Sequence, residues 1–376
     1  MVVNPFIISG KVESKYFCDR VIEQKELVNR IENGHNIVLI SPRRMGKTGL
    51  IEICFEDKRI SENYFTFFID ILQTNTLREF TFLLGKEIYN TLAPRSSKMA
   101  RAFLQTLKSL TGRITFENVS VYPSLSLSLG DIKHPEITLE EIFHYLSNAD
   151  KRCIIAIDEF QQIANYREKN VEAILRTHIQ HSSNCNFIFS GSQRHILSEM
   201  FVNSARPFFN SATFMHLEPI PREIYSDFIG EKFEEKGKII PETLAYEIYD
   251  KFDGHTYYVQ LVCNEAFNLT PMGGECNREI IGKAYDKILD TYSVVYREIL
   301  SQLSEKQKEL LYAIAMEGKV EGMTSEYFLH RYSLSSASSV QSAAKTLLHR
   351  EILTREENKY WIADRFLQMW LARMLR

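Results

Sequence analysis

A chain of 376 residues exceeds what one hydrophobic core organises, so two or three domains are expected. With 44% hydrophobic and 12% aromatic residues and only 16 Gly and 10 Pro, the composition excludes a disordered or low-complexity chain. A net charge of -3 excludes a global pull toward nucleic acid or an anionic membrane and leaves room only for a local basic patch.

The N-terminal stretch MVVNPFIISGKVESK has no basic region before its apolar residues and no small-residue cleavage site, so it does not read as an export signal. No run approaches the roughly 18 apolar residues that a membrane span requires. Residues 20–33 place Leu27, Val28 and Ile31 on one face of a short helix, with Asp19 as its expected N-cap and Gly34 as its stop. Asn36 to Ile40 follows as an apolar strand that runs into a Gly-Lys-Thr loop, and Gly49 to Phe55 reads as a helix. Tyr64 to Ile71, Cys153 to Ile157, Asn186 to Phe189 and Thr213 to Leu217 are further apolar runs separated by helical patterns. Together these five strands predict a buried parallel sheet covered by helices. Val119 to Leu129 alternates strictly and predicts an exposed antiparallel strand or hairpin inserted into that core.

From Pro221 the pattern turns helical, with Gly237 and Gly254 as stops; after about residue 290 three helices, a hairpin at TREENKYWIAD and a last helix predict a winged helix. The expected organisation is an α/β core over residues 1–218, a helical lid over 219–290 and a winged-helix domain over 291–376. The six cysteines (Cys18, Cys54, Cys153, Cys185, Cys263, Cys276) are scattered, with no C-x-x-C pair, so neither a zinc site nor a disulfide framework is signalled and a reducing cytoplasm is expected. His178 and His181 share a helix face without a carboxylate or cysteine neighbour and read as polar surface. The aromatic-rich stretch from Phe201 to Phe214 reads as core.

Ser41-Pro42-Arg43-Arg44-Met45-Gly46-Lys47-Thr48 has the Walker A spacing, with Ser41 at the first glycine position. In such a loop backbone N–H groups and the N-terminus of the next helix, from Lys47 through Gly49, cradle phosphates. Gly46 lets the backbone come close, Lys47 supplies a point charge to the outer phosphates, and Thr48 ligates magnesium. Ile154 to Ile157 delivers Asp158 and Glu159 to the C-terminal end of a central strand, where open α/β sheets gather ligands. Asp158 is expected to hold Mg2+ and Glu159 to act as general base on the attacking water. The strand ending at Phe189 puts Ser190, Ser192 and Arg194 where a γ-phosphate sensor sits; an ordinary Ser-Gly turn is the other reading.

These segments, with Phe17-Cys18-Asp19-Arg20, AIDEFQQI at 156–163, FSGSQ at 189–193, RPFF at 206–209, GHTYYVQL at 254–261 and the closing YWIADRFLQMWL, resemble the archaeal-type P-loop ATPases. That family stands with the STAND and Orc-like AAA+ proteins, and the likeness is to members with a C-terminal winged helix. The resemblance implies a sheet with the sensor strand between the Walker A and Walker B strands, a helical lid and a winged helix. It makes Phe17 and Arg20 candidate contacts on the adenine side, a packed Phe and a surface Arg being the alternative. It also implies a Pro after Gly-His in the lid, where this chain has Thr256. Arg206 falls where ring-forming AAA+ proteins place an arginine finger supplied to a neighbour, which requires a homo-oligomer; a structural ion pair is the other reading.

Residues 291–376 carry twelve Lys and Arg against ten Asp and Glu, a net of +2, and the expected recognition helix offers only Lys345 and Arg350. That is thin for phosphate neutralisation. The sequence therefore points to an ATP-dependent switch that binds and hydrolyses ATP and relays its nucleotide state, ATP or ADP, through the winged helix to a protein partner. The alternatives are a DNA-associated ATPase and a module that holds ATP without turnover.

Overall fold

The computed structural model describes residues 3–8, 10, 14–110 and 128–375. The chain forms two compact units, one spanning Lys11–Ile220 and the other joining Met1–Gly10 to Pro221–Arg376.

The first unit opens with α1 (Val21–Glu32), which buries Leu27, Val28 and Ile31. Gly34 N donates to Ile31 O and His35 N to Arg30 O, with Gly34 at φ 79°, the pairing of a Schellman stop that only a residue without Cβ adopts cheaply. The expected cap is corrected: Arg20, not Asp19, occupies the N-cap position, and no side chain caps the helix. Asp19 and Arg20 are both left-handed, at φ 52° and 66°, and this double turn leaves Asp19 one position too early.

β1 (Ile37–Ile40) leads through the loop into α2 (Lys47–Glu56) and α3 (Lys58–Ser61), followed by β2 (Tyr64–Asp70), α4 (Leu77–Leu92), α5 (Ser97–Thr106) and α6 (Pro135–Ser147). Next come β3 (Arg152–Asp158), α7 (Val171–His181), β4 (Cys185–Gly191), α8 (Arg194–Val202) and β5 (Thr213–His216). The five strands are parallel in the order β2-β3-β4-β1-β5. Strand residues alternate between the two faces, as the two-residue period of an extended chain demands. Ile37, Leu39, Ile154, Ala156 and Ile188 pack with α1, α2 and α3. Val38, Ile40, Ile155, Ile157, Phe187 and Phe189 pack with α4 to α8. Phe201 and Phe208 join Phe160 and Phe189 in this second cluster, with ring centroids 4.5–6.0 Å apart, while Phe209 is exposed. His178 stacks on Phe143 at 5.1 Å, and burial lowers its pKa. The expected hairpin at Val119 to Leu129 lies outside the described residues except for its end, where Leu129–Asp131 is a single 3-10 turn.

The second unit contains α9 (Arg222–Glu234), α10 (Glu242–Lys251), α11 (Thr256–Leu269) and α12 (Arg278–Ser301). It continues through α13 (Glu305–Glu317), β6 (Val320–Glu321), α14 (Glu326–Arg331), α15 (Ala337–His349), β7 (Leu353–Glu356), β8 (Lys359–Ile362) and α16 (Arg365–Met374). β6, β8 and β7 form an antiparallel sheet. Helical lid and winged helix are one packed body: Tyr258 of α11 donates its hydroxyl to Ala363 O (3.2 Å), accepts from Arg365 N (3.3 Å), and meets the Phe366 ring at 5.5 Å. The limit drawn at residue 290 falls inside the 24-residue α12, so one unbroken helix runs across it. A second correction concerns the N-terminus, which belongs here and not to the sheet. Phe6 is 1% exposed between Phe228, Phe233 and Phe267, and Asn264 Nδ2 donates to Phe6 O at 2.7 Å.

Thr256 is the first residue of α11, after the extended His255, and its buried Oγ1 has no hydrogen-bond partner. The amide of a first-turn residue is an unused donor, and the extended residue before it already suits proline. Thr256→Pro is therefore expected to raise the stability of this unit by about 0.4–1 kcal/mol, measured as a higher midpoint in chemical denaturation; a lower midpoint would show that the Thr256 hydroxyl or amide has a use.

Candidate functional site

The C-terminal ends of β1, β3 and β4 lie side by side, and each delivers polar residues to one edge of the sheet. β1 ends in the loop 41–46. Gly46 turns the chain into α2 at φ 89°, with open space where a Cβ would stand, and no side chain caps the helix. The first amides of α2 therefore receive no cap from the N-cap residue and lie at the positive end of the helix dipole. Lys47 is 7% exposed, and its Nζ donates to Ser41 O (3.2 Å), Ser41 Oγ (3.3 Å) and Pro42 O (3.1 Å). Ser41 thus holds the resting lysine where the motif ordinarily has glycine. Burial pushes the Lys47 pKa down, and Asp158 and Glu159 oppose the shift.

Asp158, at the end of β3, is the hub. Its Oδ2 accepts from Thr48 Oγ1 at 3.1 Å and its Oδ1 from Ser190 Oγ at 2.7 Å. One carboxylate thereby joins the phosphate-type loop to the neighbouring strand. Glu159 follows in a left-handed conformation, φ 55°, and its Oε2 accepts from Ser192 Oγ (2.9 Å) and Ser192 N (3.2 Å). Arg43 and Arg194 both act electrostatically on Lys47, which gathers positive charge at the same edge.

The remaining expected residues sort as follows. Phe17 packs on Gly49: a Cβ at Gly49 would meet Phe17 Cε2 at 2.8 Å, so the ring borders the start of α2. Arg20 is not a surface residue. It is 3% exposed, and its guanidinium donates to Glu218 O (2.6 Å) and Met45 O (3.4 Å) and pairs with Glu23 (2.5 Å), tying the loop to the end of β5. Met45 is buried and Arg43 and Arg44 are exposed. Arg206 is clamped by Glu172 of α7, through Nε at 3.1 Å and Nη2 at 2.5 Å, which is the geometry of a structural ion pair.

Two residues of this edge were missed. Asp70 ends β2 in register with Asp158; although the residue is largely exposed, desolvation of its carboxyl raises its pKa, Leu72 N opposes the shift, and Asp158 and Glu159 add to it. A second apolar strand ending in Asp, as FFID does, was the available signal. Gln161, two residues after Glu159, reaches back to that carboxylate, and only the fold shows it.

A glycine-lysine-threonine loop between strand and helix, an acidic strand end, and a serine strand between them define a P-loop nucleoside triphosphatase core. A family model described as an ATPase domain predominantly from Archaea matches residues 17–262, and the chain belongs to that family. A second model, "Probable winged helix domain", matches residues 294–373. No curated protein matches the chain. Among solved structures, it is similar to a Walker-type ATPase of Pyrococcus abyssi, with a TM-score of 0.66 and 19% identity over 98% of this chain and 99% of that one. It is also similar to the ORC2 protein of Aeropyrum pernix, described in ADPNP-ADP complexes, with a TM-score of 0.59 and 14% identity over 99% and 98%. The ORC1 protein of Aeropyrum pernix in complex with DNA gives 0.51 and 15% over 95% and 93%. These likenesses establish the fold.

Proposed function

We propose that the chain binds ATP with magnesium at the β1–α2 loop, hydrolyses it, and works as an AAA+/STAND-like switch that relays nucleotide state to a protein partner. One observation carries the reading: Asp158 holds the hydroxyls of Thr48 and Ser190 together beside the buried Lys47. The uncapped start of α2 and the open space over Gly46 suit phosphate oxygens. A single carboxylate with one hydroxyl suits a magnesium ion that keeps several waters. When bound, ATP supplies the phosphoanhydride and magnesium neutralises its developing charge. Lys47 exchanges the Ser41 and Pro42 carbonyls for phosphate oxygens. Thr48 and Asp158 would hold the metal, Glu159 would take the proton of the attacking water, and Ser190, Ser192 or Arg194 would sense the outer phosphate. Phe17 flanks the base.

A protein partner is favoured over duplex DNA because the expected recognition helix offers only Lys345 and Arg350 and several cations of the winged helix are already engaged. Arg350 is held by Gln302 O (3.0 Å) and Oε1 (2.9 Å), Arg355 by Glu357 O (2.6 Å), and Lys359 by Glu321 (3.2 Å); phosphate binding recruits such groups. The pairing of Arg206 with Glu172 supports a fold role, and a finger supplied to a second copy would first have to break it. All six thiols are buried and unbridged, in keeping with a cytoplasmic protein.

The test is ATP binding and turnover with magnesium. Lys47→Ala is expected to weaken ATP binding by about tenfold or more, because a charge-assisted contact is lost, and to abolish turnover. Binding unchanged in Lys47→Ala would place the nucleotide elsewhere and end the proposal.

A further inference from the structure

Glu159 has a third donor besides Ser192. Gln161 Nε2 reaches its Oε2 at 2.5 Å, so Ser192 Oγ, Ser192 N and the Gln161 amide all converge on one carboxylate oxygen. Gln161 is 3% exposed, and its other amide atom, Oε1, is buried with no hydrogen-bond partner. An unpaired buried amide oxygen is costly, so it asks for a compensating contact elsewhere on the same side chain. Turning the amide over would set an oxygen against the carboxylate, so the orphan is the consequence of giving the N–H to Glu159.

Room for the amide comes from β4. A Cβ at Gly191 would fall on Gln161 Oε1, 3.1 Å from Gln161 Cδ and 3.3 Å from Leu197 Cδ2. Gly191 does not have a left-handed φ, so the missing side chain serves this approach and not the backbone conformation.

We infer that Gln161 is a positioning residue: it anchors Glu159 Oε2 on the Ser192 side, so that Oε1 is the oxygen offered to the attacking water, and Gly191 is glycine to admit it. The inference rests on the hydrolytic reading of Glu159. Three donors on one oxygen remove the rotational freedom of the carboxylate, and orientation of a reacting group is a large contribution to rate.

Gln161→Met keeps the volume and removes the donor. In the full chain it is expected to lower kcat for ATP by about 10- to 100-fold with KM within a factor of about two, the signature of a misplaced reacting group. Gly191→Ala is expected to give the same loss, and the double variant no more than either alone, because both break one contact. Gln161→Glu is expected to regain activity as pH falls, since its protonated carboxyl donates to Glu159 while the ionised one repels it. Unchanged kcat in Gln161→Met, additive losses in the double variant, or a fall in Gln161→Glu that is the same at every pH would overturn the inference. If the wild type binds ATP but does not turn it over, the hydrolytic reading fails separately. Crystal structures of wild type and Gln161→Met then decide the positioning: a Glu159 carboxylate that leaves Ser192 Oγ in the variant supports it, and one that stays refutes it.

Discussion

Glu159→Gln is expected to leave ATP bound and nearly unhydrolysed, with turnover down by about 10²- to 10⁴-fold, the range a positioned general base contributes. The replacement is close to isosteric. Its amide oxygen can still accept from Ser192 Oγ and N and from Gln161 Nε2, so the local geometry has a reason to persist while the group that takes the proton is gone. Affinity for ATP is therefore expected to stay within a few-fold of wild type, roughly one kcal/mol or less. Filter binding of labelled ATP followed by single-turnover chemistry separates the two steps. Hydrolysis at the wild-type rate would remove Glu159 from the mechanism, and loss of binding would make it a structural residue of the loop.

What the sequence disclosed and what it withheld divide along a physical line. Local signals were legible: the Gly46-Lys47-Thr48 loop between an apolar strand and a helix, the apolar run ending at Asp158, and Gly34 as a left-handed stop all act within a few residues. Membership of the ATPase family and the winged helix followed from such segments, and the place of the β4 strand between β1 and β3 followed from the resemblance. Contacts set by tertiary register were not legible. Ser190 bonds Asp158 because β4 lies beside β3; Asp70 joins the same edge because its strand ends in register with Asp158. The N-terminal Phe6 lies more than 200 residues from the rings that bury it, and no pattern of spacing links them. For Arg20 the sequence left an adenine-side contact and a surface cation as alternatives, and neither anticipated the turn of positive φ that carries it inward onto Glu218 O and Met45 O.

Asp158→Asn is the more severe test of the site's architecture, because one side chain serves three donors. Its carboxylate accepts from Thr48 Oγ1, Ser190 Oγ and the amide of Glu159 while 9% exposed. An amide can accept through one atom only, and its NH2 group must then face a hydroxyl that was donating. The hydroxyl can rotate to accept, so the fold is expected to survive; what is lost is the charge for a divalent ion. Turnover is expected to fall by about 10²- to 10³-fold, as when an electrostatic partner of the transition state is removed, and magnesium dependence to move to higher concentration. The substitution also acts on Lys47, whose pKa burial already lowers and Asp158 most strongly restores. Without that support the ammonium loses its proton at a lower pH, so ATP affinity in Asp158→Asn is expected to decline with rising pH sooner than in the wild type. Binding titrations across the alkaline range read this directly. Parallel pH profiles for the two proteins would mean that Asp158 does not sustain the charge of Lys47, and turnover within about threefold of wild type would remove it as the metal-holding carboxylate.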